Sequence, residues 1–203
     1  MALWLIGAAI AAAGTVAVIS SGSEPTDSRD WAGTVLTTPQ SRPEIVLSDV
    51  GGAPVDLGAD TDAEVTLVMF GYTNCPDICP TALVATAEGL KLLTPEELAR
   101  VAVIFISVDP ERDTPARLKE YAEFFHPAIV GGTGGPEELA AIARRYGVFY
   151  ARQSVETAGG GYVVDHTSDT YVVGADGKLD GKIAHATAPE QVAAEIRKRL
   201  TKP

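Results

Sequence analysis

An α/β domain, with a central mixed sheet flanked by helices, is the fold class this sequence predicts, and three observations predict it. Two unbroken apolar runs of strand length, "EVTLVMF" (64–70) and "VAVIFISV" (101–108), match central strands buried on both faces. Helical segments follow them, so strand and helix alternate. Prolines at 95, 115, 136 and 189 open four of the helical segments, where a missing N–H breaks no bond. With 203 residues, 46% of them hydrophobic and 21% charged, the chain suits one folded domain with an appendage.

The appendage comes first. Residues 2–20, "ALWLIGAAIAAAGTVAVIS", carry no charge and as a helix would span about 28 Å, close to the ~30 Å hydrocarbon core. A transmembrane anchor over 1–20 is therefore expected rather than a cleaved signal peptide, whose basic leading region is absent. Residues 21–43 have the Ser, Thr, Pro and charge content of a tether, and the folded domain is placed at 30–203. "EIVLSDVGGAPVDL" predicts a hairpin turned at Gly51-Gly52. The strand 64–70, the turn "NCPDICP" and a helix to about Leu93 come next. Thr94 and Glu97 have capping-box spacing at Pro95. After the strand 101–108, "PARLKEYAEFF" is amphipathic, and the helix from Pro136 should stop at a left-handed Gly147. "VFYARQ" leads through a loop with Gly159, Gly160 and Gly161 to the strand "YVVDH"; a hairpin turning at Asp176-Gly177 and a helix from Pro189 to about Leu200 close the chain. This order is that of a thioredoxin-like fold, with an N-terminal membrane-anchor helix attached.

A formal net charge of -11 excludes nucleic acid as a partner, since phosphate binding needs clustered Lys and Arg and here they are scattered. The acidity is read as solubility.

Cys75 and Cys79 are the chain's two cysteines, each followed by proline. Pro80 inside a helix would clash with the carbonyl of residue 76 at a cost of ~3 kcal/mol, so the helix is expected to begin at Pro80 with Cys79 as N-cap and Cys75 in the loop before it. That places the Cys79 thiol by unpaired N–H groups at the positive end of the helix dipole, which favours thiolate. Asp77, between the sulfurs, disfavours two thiolates and so favours a cation at the site. Three uses of the pair compete. A static disulfide closing so small a loop stabilises little; redox exchange normally has two intervening residues, not three; metal binding by two soft thiolates selects Cu(I) or zinc and needs a further ligand.

The chain has three histidines to supply it. His126 is expected at a helix C-terminus, where it compensates the dipole. His185 is expected on the second strand of the last hairpin, without a motif around it. His166 ends the strand "YVVDH" and, in a thioredoxin arrangement, can reach the sulfurs across 87 positions (166 − 79).

Taken in order, "FGYTNCPDICPTAL", "FISVDPERDTPARLKEYAEFF", "GTGGPEELAAIARRYGVFY" and "YVVDHTSDTYVVGADGKL" resemble the Sco (SenC/PrrC) copper proteins that assist cytochrome c oxidase assembly, over about residues 31–200. The family pattern Cys-x-x-x-Cys-Pro with a later Asp-His matches Cys75, Cys79, Pro80, Asp165 and His166, and implies Cys75, Cys79 and His166 as copper ligands. The glycine-rich loop before Tyr162 departs from many members, and His185 matches no family motif. The resemblance implies a metallochaperone for Cu(I), or Cu(II) with an added ligand, that delivers copper to the copper A centre of oxidase subunit II. It also implies a membrane-anchored chain whose soluble domain faces the extracytoplasmic side. The alternative is a thiol-disulfide oxidoreductase in which Cys75 and Cys79 reduce the acceptor's cysteines or act in redox signalling. A peroxide-reducing relative ranks third, because the turn lacks a Thr-x-x-Cys site. Asp109 is read as capping the next turn, Asp165 as a candidate partner of His166 on the opposite strand face, and Tyr72 and Thr73 as shaping the cysteine turn. Phe70, Phe105, Phe124 and Phe125 are read as core.

Overall fold

A computed structural model describes residues 33–41, 46–48, 54–56, 63–155 and 161–200. In chain order the strands are β1 (Gly33–Ser41), β2 (Val46–Ser48), β3 (Pro54–Asp56), β4 (Val65–Gly71), β5 (Val101–Ser107), β6 (Ile129–Gly132), β7 (Tyr150–Ser154), β8 (Tyr162–His166), β9 (Thr170–Gly174) and β10 (Lys178–Ile183). The helices are α1 (Ile78–Lys91), α2 (Pro95–Leu98), α3 (Pro115–Phe125), α4 (Pro136–Tyr146) and α5 (Pro189–Leu200).

The two apolar runs lie side by side. β4 and β5 pair in parallel from Val65 opposite Val101 to Gly71 opposite Ser107, and β5 continues in parallel to β6. On its other edge β4 pairs antiparallel with β9, then β10, then β1, giving one mixed sheet in the order β1-β10-β9-β4-β5-β6. All of β4 is buried, as a strand covered on both faces must be. Leu67, Val68, Ile104, Phe105 and Ile106 are almost wholly withdrawn from solvent, each stabilising the fold by about 1.5–3 kcal/mol. The arrangement is the thioredoxin-like α/β fold expected, flanked by helices.

The helix signals stand where the sequence put them. Pro95, Pro115, Pro136 and Pro189 are each the first residue of their helix. The Thr94 hydroxyl accepts from Glu97 N at 3.2 Å while the Glu97 carboxylate accepts from Thr94 N at 2.9 Å, a complete capping box. Leu139, Ile142, Ala143 and Tyr146 form the buried stripe of α4, which ends at Gly147 with φ 65°, a left-handed conformation that a residue with a Cβ resists. Gly177 (φ 70°) turns the β9–β10 hairpin, and β2 pairs with β3 as the predicted hairpin.

Three expectations need correction, and one strand pairs apart from the central sheet. Phe124 is 82% exposed rather than core, because α3 buries Leu118 and Ala122 and packs Phe125 beside them at helical spacing. Phe124, six residues after Leu118, points about 120° away from that stripe. α1 begins at Ile78, not Pro80. Proline is tolerated at the third helical position because the first N–H groups of a helix have no intrahelical acceptor and the carbonyl of residue 76 lies outside it. β8 is not a strand of the central sheet; it pairs with β7 in a separate two-stranded ribbon. His185 lies beyond β10, which ends at Ile183. The expected anchor (1–20) and most of the tether (21–43) lie outside the described residues, and among those described no helix is long and apolar enough to cross a membrane.

Candidate metal centre

The end of β4 and the start of α1 build one wall of the site. Tyr72 to Asp77 connect them, with Cys75 N donating to the Tyr72 carbonyl at 3.2 Å. Asp77 is the N-cap by position, although its side chain caps no backbone N–H. Cys79 is the second helical residue, 3% exposed, with its sulfur turned into the core. Cys75 is half-buried, and its sulfur accepts from Cys79 N at 3.4 Å. The helix N-terminus thus presents its N–H to the sulfur of Cys75, not to that of Cys79 as the sequence suggested, because the helix starts one residue before Cys79 and turns that side chain inward. No disulfide bridges the two cysteines.

Gly71 closes the wall behind Cys79. A Cβ there would lie 2.7 Å from Cys79 Sγ and 2.8 Å from the Phe105 ring, so the sulfur occupies space that a side chain at 71 would fill.

His166, the last residue of β8, supplies the other wall. Its Nε2 is 3.2 Å from Cys79 Sγ, and its Nδ1 is 3.0 Å from the Thr167 carbonyl oxygen, which presents Nε2 to the sulfurs when Nδ1 carries the proton. Tyr72 meets the imidazole edge-on, with ring centroids 6.0 Å apart. Asp165 is exposed, so the orienting partner is the Thr167 carbonyl rather than the neighbouring carboxylate.

Cys75 Sγ, Cys79 Sγ and a His166 ring nitrogen all lie within 4.8 Å of one another, and these are the only such group of three among the described residues. Metal bonds of ~2.3 Å to sulfur and ~2.0 Å to nitrogen allow donor atoms up to ~4.6 Å apart, so small side-chain rotations suffice to close them on one ion. Soft thiolates with an imidazole favour Cu(I) and zinc over hard cations. His126 caps α3, its Nδ1 accepting from Ala128 N at 3.1 Å.

The two sulfurs differ in charge. Hydrogen bonding from the Cys79 thiol, together with the His166 ring and the backbone N–H groups of Cys79 and Asp77, pulls the Cys75 pKa down to about 3 against an opposing contribution from burial. Donation to that thiolate and burial push the Cys79 pKa well above the ordinary thiol range. Burial alone would lower the His166 pKa, but the Cys75 thiolate and the Thr167 carbonyl outweigh it and raise it. Without a metal the site is a thiolate, a thiol and an imidazole with added affinity for a proton.

A buried carboxylate that the sequence reading passed over braces the cysteine turn. Asp113 is fully buried and accepts from Thr73 N at 2.8 Å, Thr73 Oγ1 at 2.5 Å and Ser107 Oγ at 2.6 Å. Arg117 adds bonds to Thr73 Oγ1 at 2.8 Å and Asn74 Oδ1 at 2.7 Å. The signal was the second aspartate of "VDPERDTP", four residues after Asp109. Asp109 itself shapes the turn through its carbonyl, which accepts from Arg112 N and Asp113 N.

The profile describing SCO1/SenC matches residues 39–201. The chain belongs to the SCO1/SenC family. Within it, an SCO2-like protein of Rickettsia felis is 40% identical over 128 residues, 63% of this chain and 62% of that protein, so the match spans less than two thirds of the relative's length. The solution structure of apo Sco1 from Thermus thermophilus superposes with a TM-score of 0.73 at 39% identity, covering 82% of this chain and 95% of that one. Bradyrhizobium japonicum ScoI with copper bound gives a TM-score of 0.68 at 36% identity, covering 79% and 99%.

Proposed function

We propose that this chain is a copper carrier that takes Cu(I) on Cys75, Cys79 and His166 and passes it to the copper A centre of cytochrome c oxidase subunit II. The observation that carries the reading is the convergence of two unbridged sulfurs and one imidazole nitrogen within 4.8 Å of one another. Copper in a related ScoI supports the choice of metal. Cys75 is ready as thiolate, Cys79 must give up its proton when the ion arrives, and the Thr167 carbonyl keeps Nε2 of the imidazole aimed inward. A set of three donors, two of them partly exposed, leaves room for an incoming thiolate of the acceptor to displace them singly. On this reading the chain is a carrier, not an enzyme, with residues 1–20 anchoring it and the domain 30–203 on the extracytoplasmic side.

Thiol-disulfide exchange by the same sulfurs is the second reading, favoured by the thiolate at Cys75 beside a protonated thiol at Cys79. His166→Ala separates the two: it is expected to abolish tight, one-to-one copper binding by the reduced protein while sparing disulfide exchange. Retention of copper affinity in that variant rejects the ligand assignment.

A further inference from the structure

The strand that delivers His166 is not held by the central sheet. Among the described residues β8 is paired with β7 alone, so the ladder that fixes β4, β5 and β9 does not fix the imidazole. The side-chain bonds that tie the start of β8 to the rest of the domain centre instead on Arg112, in the turn after β5. Its Nε donates to the fully buried carboxylate of Asp109. One terminal nitrogen donates to the Tyr162 carbonyl oxygen at 3.0 Å, and the guanidinium carbon lies 3.7 Å from the centre of the Tyr162 ring. The Tyr162 hydroxyl closes the circuit by donating to Asp109 at 2.7 Å.

The same guanidinium lies 5.5 Å from the Tyr72 ring centre, and Tyr72 is the residue that meets His166 edge-on. Arg152 of β7 adds a second cation over the Tyr162 ring, at 4.8 Å, and is paired with Glu111 at 2.8 Å. One planar fork therefore touches a buried carboxylate, a main-chain carbonyl of β8 and two aromatic rings. The compact ammonium of a lysine cannot span these partners.

We infer that Arg112 is a positioning residue for the metal centre: it pins the start of β8 to the turn after β5 and so holds the His166 imidazole within reach of the two sulfurs. The part that concerns metal rests on the copper reading above; the part that concerns the imidazole does not.

The test uses the full chain with two substitutions. Arg112→Met removes the fork, and Arg112→Lys keeps a cation beside Asp109 in case loss of the charge prevents folding. In the reduced, metal-free protein, either variant is expected to move the His166 ring proton resonances, which sense the Tyr72 ring, and to speed amide exchange over 162–166 while leaving 65–71 as in the parent. With Cu(I), Arg112→Met is expected to lose about 10- to 100-fold in affinity, the range for residues that orient ligands, and to cost nothing further when combined with His166→Ala. A folded Arg112 variant with His166 resonances and β8 exchange at parental values overturns the inference, as do Arg112→Met and His166→Ala losses that multiply. If the parent chain takes up no copper, the copper reading fails and the metal-free measurements alone decide the role of Arg112.

Discussion

The unequal sulfurs can be tested by alkylation. Cys75, with its pKa near 3, is thiolate throughout pH 5 to 8, whereas an ordinary thiol near 8.5 is only about 0.03% thiolate at pH 5. A low pKa also weakens the nucleophile. With a Brønsted slope of ~0.45, a shift of about 5.5 units slows the thiolate about 300-fold. The two effects oppose, and pH decides between them. At pH 5 the gain in thiolate, about 3,000-fold, wins and Cys75 should react roughly tenfold faster than free cysteine; at pH 8 the gain is only about fourfold and Cys75 should be the slower by about 70-fold. The assay is iodoacetamide modification of the reduced, metal-free protein at several pH values, read by peptide mass mapping. A flat Cys75 profile from pH 5 to 8, crossing the rising profile of free cysteine, is expected, with Cys79 untouched. A Cys75 rate climbing tenfold per pH unit toward a midpoint near 8.5, or modification of Cys79 first, refutes the assignment of the thiolate.

Three more outcomes are expected. Asp113→Ala removes three bonds to a buried carboxylate and should cost on the order of 3 kcal/mol in urea denaturation; a loss below 1 kcal/mol would mean the brace is dispensable. Gly71→Ala forces a Cβ against Cys79 Sγ and the Phe105 ring and should cost about 1–3 kcal/mol while weakening copper binding, both read from denaturation and metal competition; an unchanged protein on both counts contradicts the close packing. For the reduced protein, the lowered pKa of Cys75 contributes stability that is present above the unfolded thiol value and fades as pH falls toward 3, whereas the raised pKa of His166 contributes stability present below the ordinary imidazole value and fades as pH rises through the folded one. Cys79, with its raised pKa, destabilises the fold once pH passes the ordinary thiol range, so denaturation midpoints should rise from pH 4 to 6 and fall above 9.

Local signals in the sequence located local structure. The four prolines and the Thr94–Glu97 box mark helix starts because capping involves only adjacent backbone, and the same is true of Gly147 at a helix end. Continuous apolar runs marked β4 and β5 because both faces of these strands are covered. That Cys75, Cys79 and His166 meet was inferred from topology, and the structure brings them together. What the sequence concealed depended on tertiary contact. A difference of two residues in the start of α1 moved the helix N–H from one sulfur to the other. The alternation that identified β8 as a strand is blind to which partner it pairs with. Asp113 looks in sequence like another loop carboxylate, and only the fold shows that the cysteine turn hangs from it.

Burial of one sulfur behind Gly71 and partial exposure of the other give the pair an inside and an outside. On the thiol-disulfide reading, an incoming disulfide would meet the exposed Cys75 first and form its bond there, and Cys79, once its proton had left, would resolve it from the interior. Exchange at this turn would then run in one direction, with any half-finished bond left on the sulfur that solvent can reach.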